Sequence, residues 1–514
     1  MNDVYQAENF PGVLESGCKE KKEKAQTPAK LLISAAVFGA LFSYLFANQL
    51  AGLNVLIFVL LLYAFALFNK ELFMKRTFRE EKLITLLTLP AIFLAVCMFT
   101  GSTFLNGLSI LVILFVMFVQ YMVLSDNALY RWYKPMFVTD IIIGGLNRLF
   151  LGLGHFSAGS VNSIFNQQSE KKKGAVIGLL IGAVLLILIV PLLLMADPAL
   201  SAAVSILLAD INIGDILLYI FLFFVGASAA AAPIATAKRS EYTGNRTARD
   251  YSHLRPVQGV TVGVALSMVS LVYILYGAVQ FGYFFQPRET MADILGLTSS
   301  AYAVRGFGEL LFITCLNFVI VGLSLRFTKQ KEGRAQPYLK ALCAVLIAFN
   351  FVIMASSHMR LAYYELSFGY TVARFISHSF MLLLVILNVI MLARVFIDKT
   401  KAIKLFAVAA LVYFCGLVAV NPEAYVARSN IQRYEQTGKI DAEYMLSLSG
   451  GAVLEACDFF EDNPELFDAR ARSAAAQKYV YYIPVHRYDW QSINLADRNA
   501  YLRLKELLND NYSK

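Results

Sequence analysis

This sequence predicts an all-α, polytopic helical membrane protein, and three observations carry the prediction. Of 514 residues, 58% are hydrophobic and 16% charged, and the mean hydropathy is +0.59; a soluble domain carries about 25% charged residues. Apolar runs near the ~20 residues that cross a bilayer recur up to about residue 420. Lys and Arg gather in alternate loops between these runs, as they do in loops that stay in the cytoplasm. Hydrocarbon offers the backbone no water, so each span is expected to be a helix, whose hydrogen bonds close internally.

Residues 1–29, lysine-rich around CKEKKEKAQTPAK, read as a disordered cytoplasmic arm. The transmembrane domain is expected over 30–420. Its first spans fit at about 30–48, 51–69, 83–100 and 105–124, with links short enough to make neighbours antiparallel. Within 125–173 an apolar pattern is broken by Asp140, Asn147, Arg148 and His155 and closed by Lys171, Lys172 and Lys173. Two readings of this segment stay open: an amphipathic segment in the plane of the cytoplasmic surface, and a partly buried cytoplasmic loop. Further spans fit at about 174–196, 214–236, 258–285, 306–325, 338–357, 375–396 and 403–420, which makes about eleven. The span at 214–236 contains GASAAAAP, small side chains that let helices approach closely. None of the runs resembles a cleavable signal peptide.

Orientation follows from the basic residues. Loops of one parity hold 30 of the 45 Lys and Arg, loops of the other parity hold only Arg288, Arg305, Arg360 and Arg374, and 11 lie beyond residue 421. The expected topology is therefore N-terminus inside and C-terminus outside. The formal net charge of +9 then needs no nucleic acid to explain it.

The tail, 421–514, carries 14 Asp and Glu against those 11 Lys and Arg and reads as a soluble extracytoplasmic helical module. Asn421, Pro422 and Glu423 form a helix start and Gly438 a stop. Asp441 is placed to cap the next helix before Gly450 and Gly451, and Asn494 to cap a final helix through about Asn509. The run YVYYIPV, 479–485, reads as a short extended stretch.

Ionisable groups near membrane depth are costly and mark candidate sites. Tyr302, Arg305 and Glu309 share one helical face by their spacing, with Arg and Glu at the i, i+4 distance of an ion pair. The next outward loop supplies His358, Arg360, Tyr364, Glu365, Tyr370, Arg374 and His378. Arg305, Arg360 and Arg374 could form an anion site, since guanidinium binds carboxylate or phosphate oxygens in pairs; structural ion pairing and interfacial anchoring are the competing readings. Candidate residues are thus Tyr302, Arg305, Glu309, Arg360, Tyr364, Glu365, Arg374 and His378. At span centres Asn317, Asn350 and Asn388 are expected to hydrogen-bond neighbouring helices.

The sequence has no HExxH, Walker A, GxSxG or GxGxxG motif, so it supports no metallohydrolase, NTPase, serine hydrolase or dinucleotide reading. His486 stands alone, and Asp441, Asp458, Glu461 and Asp462 read as an exposed acidic surface. Six cysteines show no CxxC pair, so neither metal nor cofactor is expected.

A resemblance enters through six blocks in order: ADPAL, VQFGYFF, TSSAYAVRGFGEL, RLAYYELSFGYTVAR, NPEAYVARSNIQRYEQTGKIDAEYMLSLS and DWQSINLADRNA. Together, over about 170–510, they resemble an uncharacterised bacterial membrane family, domain of unknown function four-one-five-three, and its relative four-one-seven-three. In the third block Tyr302, Arg305, Gly306, Phe307, Glu309 and Leu310 match the family pattern TYAEYARRGFFEL. Ser299, Ser300 and Val304 stand where it has Tyr, Ala and Arg, which removes one of two adjacent arginines. The resemblance implies a multi-pass envelope protein with an outer C-terminal module and brings no activity, cofactor or catalytic residue. The expected function is a non-catalytic sensing or accessory role with an envelope protein partner held through the tail. The alternative is a membrane enzyme or carrier for a lipid-linked or anionic substrate, using the outward Arg/Glu site.

Overall fold

A computed structural model of the protein describes residues 27–128, 130–145 except 133 and 135, positions 150, 152, 153 and 156, and residues 213–237, 258–284, 299–328, 335–397, 400–487 and 490–510. The described residues are overwhelmingly helical. The principal helices are α1 (Ala29–Phe46), α2 (Leu53–Phe68), α3 (Thr88–Thr100), α4 (Asn106–Leu124), α5 (Ile213–Thr236), α6 (Gly259–Phe284), α7 (Ser299–Phe327), α8 (Ala335–Phe368), α9 (Val372–Phe396) and α10 (Ala402–Val420). The tail forms α11 (Pro422–Thr437), α12 (Ala442–Ser447), α13 (Gly450–Asp462), α14 (Ala469–Arg487) and α15 (Leu495–Asp510).

Eight described helices are long and apolar enough to cross a bilayer, at Ala29–Phe46, Lys82–Thr100, Asn106–Leu124, Gly214–Thr236, Gly259–Ala278, Pro337–Ala362, Val372–Phe396 and Ala402–Val420. Two further expected spans are shorter apolar helices, Leu53–Phe68 and Leu310–Arg326. The span expected at 174–196, the arm over 1–26 and much of 125–173 lie outside the described residues. Large side chains such as Met268 (67% exposed) and Phe312 (71% exposed) stand outward on the long helices. That surface suits lipid tails, which cover apolar side chains as water does not.

Packing follows side-chain size. α1 lies along α5, where Ala227, Ala231 and Ile234 are buried with Leu31, Ala35 and Phe38. In this contact the small residues of 214–236 meet a neighbour, as van der Waals packing between membrane helices requires. α2, α3, α4 and α10 share a second core through Val59, Leu94, Met98, Ile113 and Val418. α6, α7, α8 and α9 form a third group around Leu346, Ile347 and Val321. Of 125–173, Phe137 and Ile141 pack on Ile84, Val119 and Val123 at the ends of α3 and α4.

The tail has its own core of Met445, Val453, Phe460, Phe467, Ala471, Ala475, Tyr482 and Leu504. Its helix ends use local capping. Asn421 accepts from the Ala424 N–H, Asp441 from the Tyr444 N–H at 2.9 Å and Asn494 from the Asp497 N–H at 3.1 Å, while Gly438 closes α11. The structure corrects the extended reading of 479–485, because α14 runs through it to Arg487. Ala471, Ala475 and Tyr482 share a buried helical face, and that burial overrides the strand preference of aromatic and β-branched residues.

Candidate functional site

α8 continues beyond its apolar stretch to Phe368, and α9 begins at Val372 after a three-residue turn. Gly369 occupies that turn at φ +85°, and a Cβ there would lie 3.1 Å from both Asn430 and Arg433 of α11, so glycine serves conformation and contact at once. The turn places the end of α8 beside the start of α9. The buried carboxylate of Glu365 meets His378 Nε2 at 3.0 Å, and the opposite nitrogen of that ring, Nδ1, meets His358 Nδ1 at 3.0 Å. The two imidazoles cross nearly at right angles, at 73°. His358 is exposed and Glu365 is 8% exposed, so the three groups form a chain of contacts from the surface to a buried carboxylate.

Of the sequence-nominated residues, Glu365 and His378 are therefore brought into direct contact. Arg374 donates to the carbonyl of Gly369, which fastens the turn. Arg360 is half-buried on α8. Tyr302, Arg305 and Glu309 lie on the α7 backbone and Tyr364 on that of α8, but their side chains fall outside the described residues. His358, two residues before Arg360, joins the group.

The tail is held against the same side of the bundle by polar side chains aimed at backbone. Asn430 brackets Tyr370, accepting from its N–H at 3.0 Å and donating to its carbonyl at 2.9 Å, and the Tyr444 hydroxyl accepts from the Val372 N–H at 3.0 Å. At the α3–α4 loop, the buried carboxylate of Glu423 accepts from the N–H groups of Phe104 at 2.9 Å and Ser449 at 3.2 Å. Asn421 and Ser449 both donate to the Ser102 carbonyl, and Asn494 donates to the carbonyls of Met98 and Gly101. At the α1–α2 loop, Leu53 N–H reaches the Ile493 carbonyl at 2.9 Å and Leu50 N–H reaches Ser492 Oγ at 2.8 Å. Three loops of the bundle are thus bonded to one module.

Beneath this seam lies a titratable cluster that the sequence reading missed. Asp497 receives bonds from Ser102, Tyr482 and the Gly450 N–H, yet burial still pushes its carboxyl above the ordinary range. Burial likewise pulls the Lys478 ammonium down, against the attraction of Asp497 and Glu423. Tyr482 is driven upward, by burial first and by Asp497 next. Asp497 stands three residues past the Asn494 cap, a place where acids suit the helix dipole, and that local sense hid its long-range role.

Midway along the bundle, Asn317 donates to Asn350 at 2.7 Å, Asn350 to Asn388 at 2.8 Å and Asn388 to the Leu384 carbonyl at 2.8 Å, while Tyr273 donates to Asn317. These amides join α6, α7, α8 and α9, the neighbour-to-neighbour bonding expected of them, and all three are fully buried. No group of three His, Cys, Asp or Glu placed to hold a metal occurs among the described residues. Cys97, Cys315, Cys343, Cys415 and Cys457 are free thiols.

Apolar helices of spanning length, polar bonding across their centres and a helical module bonded to their ends define a multi-pass helical membrane protein. The sequence comparison then places it: the chain belongs to the family described as Domain of unknown function (DUF4153), matched over residues 88–457. The match includes the helices from α3 onward and stops within α13, at Cys457. No curated protein and no solved structure matches the chain.

Proposed function

We propose that this protein is a non-catalytic sensing or accessory component of a bacterial cytoplasmic membrane, with its N-terminus inside and its tail outside. The observation that carries the reading is the seam: Asn421, Glu423, Asn430, Ser492 and Asn494 tie one module to three loops of the helix bundle. A partner bound to the tail is thereby coupled to helix ends rather than to a loose tether. The alternate-loop distribution of Lys and Arg supports the orientation. Val480 and Tyr481 are 62% and 65% exposed on α14 and offer the partner an apolar foothold. A photo-crosslinking residue placed at Val480, Tyr481 or Leu502 in native membranes is expected to yield one reproducible adduct with an envelope protein. Absence of an adduct at all three positions overturns the reading.

A second reading, a membrane enzyme or carrier for a lipid-linked or anionic substrate, is favoured by the Glu365–His378–His358 group and by Arg360 and Arg374 on the same two helices. It predicts that alanine at Arg305, Glu309, Arg360 or Arg374 abolishes the envelope phenotype at normal expression. Intact function in all four variants ends it.

A further inference from the structure

The same helices whose one end holds the tail converge at their other end on a cavity of about 520 Å³. The segment leading into α3, the end of α4 and the start of α10 line it, so the cavity lies on the face of the bundle opposite the seam. Its walls come from three separate stretches of chain, 76–83, 123–132 and 401–404. Six cations, Arg76, Arg79, Lys82, Arg131, Lys401 and Lys404, stand around it against three carboxylates, Glu80, Glu81 and Asp126.

The carboxylates are partly spoken for. Arg76 takes Glu81 at 2.7 Å and Asp126 at 2.7 Å, and Glu80 accepts from the Thr77 N–H at 2.9 Å, fixing the loop that carries Arg79 and Lys82. Arg79 and Lys82 have no ion pair among the described residues, and Lys404 rests over the Trp132 ring at 5.4 Å. Arg79, Lys82 and Lys404, from two separate stretches of chain, thus stand around one cavity with no ion pair among the described residues. Like charges gathered from distant parts of a chain repel one another, and the repulsion is relieved when an anion enters between them. Leu83 and Val123 give the cavity an apolar floor, and Leu86 and Leu89 stand exposed on the helix just beyond it. Basic pockets between helices at a membrane surface suit phosphate-bearing head groups.

We propose that this cavity is a binding site for a phosphate-bearing anion, with Arg79, Lys82 and Lys404 as its recognition groups and Arg76 as the scaffold that fixes them. A lipid head group and a free phosphate present the same oxygens to guanidinium and ammonium, so the two sources are separated by experiment. The full-length chain is purified in a neutral detergent and titrated with phosphatidylglycerol, with phosphatidylcholine, and with inorganic phosphate. Binding is read by native mass spectrometry and thermal shift.

Saturable binding of phosphatidylglycerol but not phosphatidylcholine is expected if the ligand is a lipid, and saturable binding of inorganic phosphate if it is free phosphate. In either arm Arg79→Gln/Lys82→Gln/Lys404→Gln is expected to lose at least tenfold in affinity, whereas Lys439→Gln on the tail leaves it unchanged. Should the triple variant not fold, Arg79→Gln and Lys404→Gln separately are each expected to weaken binding about threefold. The site is refuted if neither anion binds the wild type, if these variants bind as the wild type does, or if Lys439→Gln loses as much.

Discussion

Asn494 and Met98 lie 396 positions apart in the chain, yet the amide of the first donates to the carbonyl of the second at 2.8 Å. The same amide donates to Gly101 at 2.9 Å, while its oxygen caps α15. One side chain thus starts the last helix of the tail and completes the carbonyl end of α3. Asn494→Ala removes all three bonds. At about 1 kcal/mol per hydrogen bond, plus exposure of carbonyls built to be paired, the expected loss is about 2–3 kcal/mol. Hydrogen exchange in 495–510 of the bilayer-embedded protein should speed up while exchange in α8 and α9 stays unchanged. Unaltered exchange in 495–510 would falsify the role given to this seam.

Glu365 and His378 are suited to a double-mutant cycle. His378→Ala leaves a buried carboxylate without its imidazole and is expected to cost about 1–3 kcal/mol. With Glu365→Gln already in place the same substitution should cost less, giving a coupling of about 0.5–3 kcal/mol. The quantity to measure is reversible unfolding in mixed micelles. Strictly additive costs mean that the observed 3.0 Å contact has no energetic content.

The amide chain through Asn317, Asn350 and Asn388 gives a prediction of opposite sign to intuition. Asn350→Leu removes the central link, strands Asn388 Oδ1 in an apolar interior and leaves Asn317 Nδ2 only its 3.5 Å bond to the Leu346 carbonyl. Each stranded partner costs about 1–3 kcal/mol, whereas replacing all partners together with apolar groups is nearly neutral. Leucine at all three positions, with Tyr273→Phe to remove the hydroxyl that donates to Asn317, is therefore expected to be less destabilised than Asn350→Leu alone. Thermal unfolding of the two variants in one detergent decides it, and a quadruple variant less stable than the single contradicts the account.

How much of this was legible in the sequence depends on range. Asn421, Asp441 and Asn494 could be placed as caps because capping acts over three residues, and Asn317, Asn350 and Asn388 because an amide in a long apolar run has few other partners. The seam could not be read, since Glu423 meets Phe104 across 319 positions and no periodicity encodes that distance. Glu365 and His378 were nominated within one loop, but their pairing depends on the Gly369 turn that reverses the chain between them. In 479–485 local preference misled, because Tyr482 is buried on a helical face whose partner, α15, begins only at Leu495.

Gly52 tests the seam from the bundle side. A Cβ at this position would lie 2.6 Å from the backbone oxygens of both Ser492 and Ile493, and backbone cannot move aside as the end of a flexible side chain can. Gly52→Ala is expected to push the 490–495 segment off the start of α2 and break the bond from Leu53 N–H to Ile493. Overpacking of this kind costs about 1–3 kcal/mol. Protease cutting near Trp490 should accelerate several-fold in the variant, and a cutting rate equal to that of the wild type would show that the two backbones are not in contact.

Asp497 makes the seam sensitive to pH, and the sign follows from the cause of its shift. Burial raises its folded-state carboxyl above the ordinary value of 3.8, so the folded tail binds the proton more tightly than the unfolded chain does. Its stabilising contribution is complete below about 3.8 and is lost as pH rises through the higher folded value. Lys478 acts at the alkaline end: burial lowers its ammonium from 10.5, so its contribution is present above that value and is lost as pH falls through the lowered one. As pH rises from 3.8 the Asp497 contribution declines while that of Lys478 grows, so the two are told apart by sign. Protection of the tail against hydrogen exchange, corrected for intrinsic rates, is expected to fall over that rise in the wild type relative to Asp497→Asn. The asparagine keeps the shape and most of the hydrogen bonds of the protonated acid, so the difference between the two proteins isolates the one titration. A difference that stays flat, or that grows in favour of the wild type as pH rises, would mean that the bonds from Ser102, Tyr482 and Gly450 outweigh burial and that the carboxylate is the form the seam was built to hold.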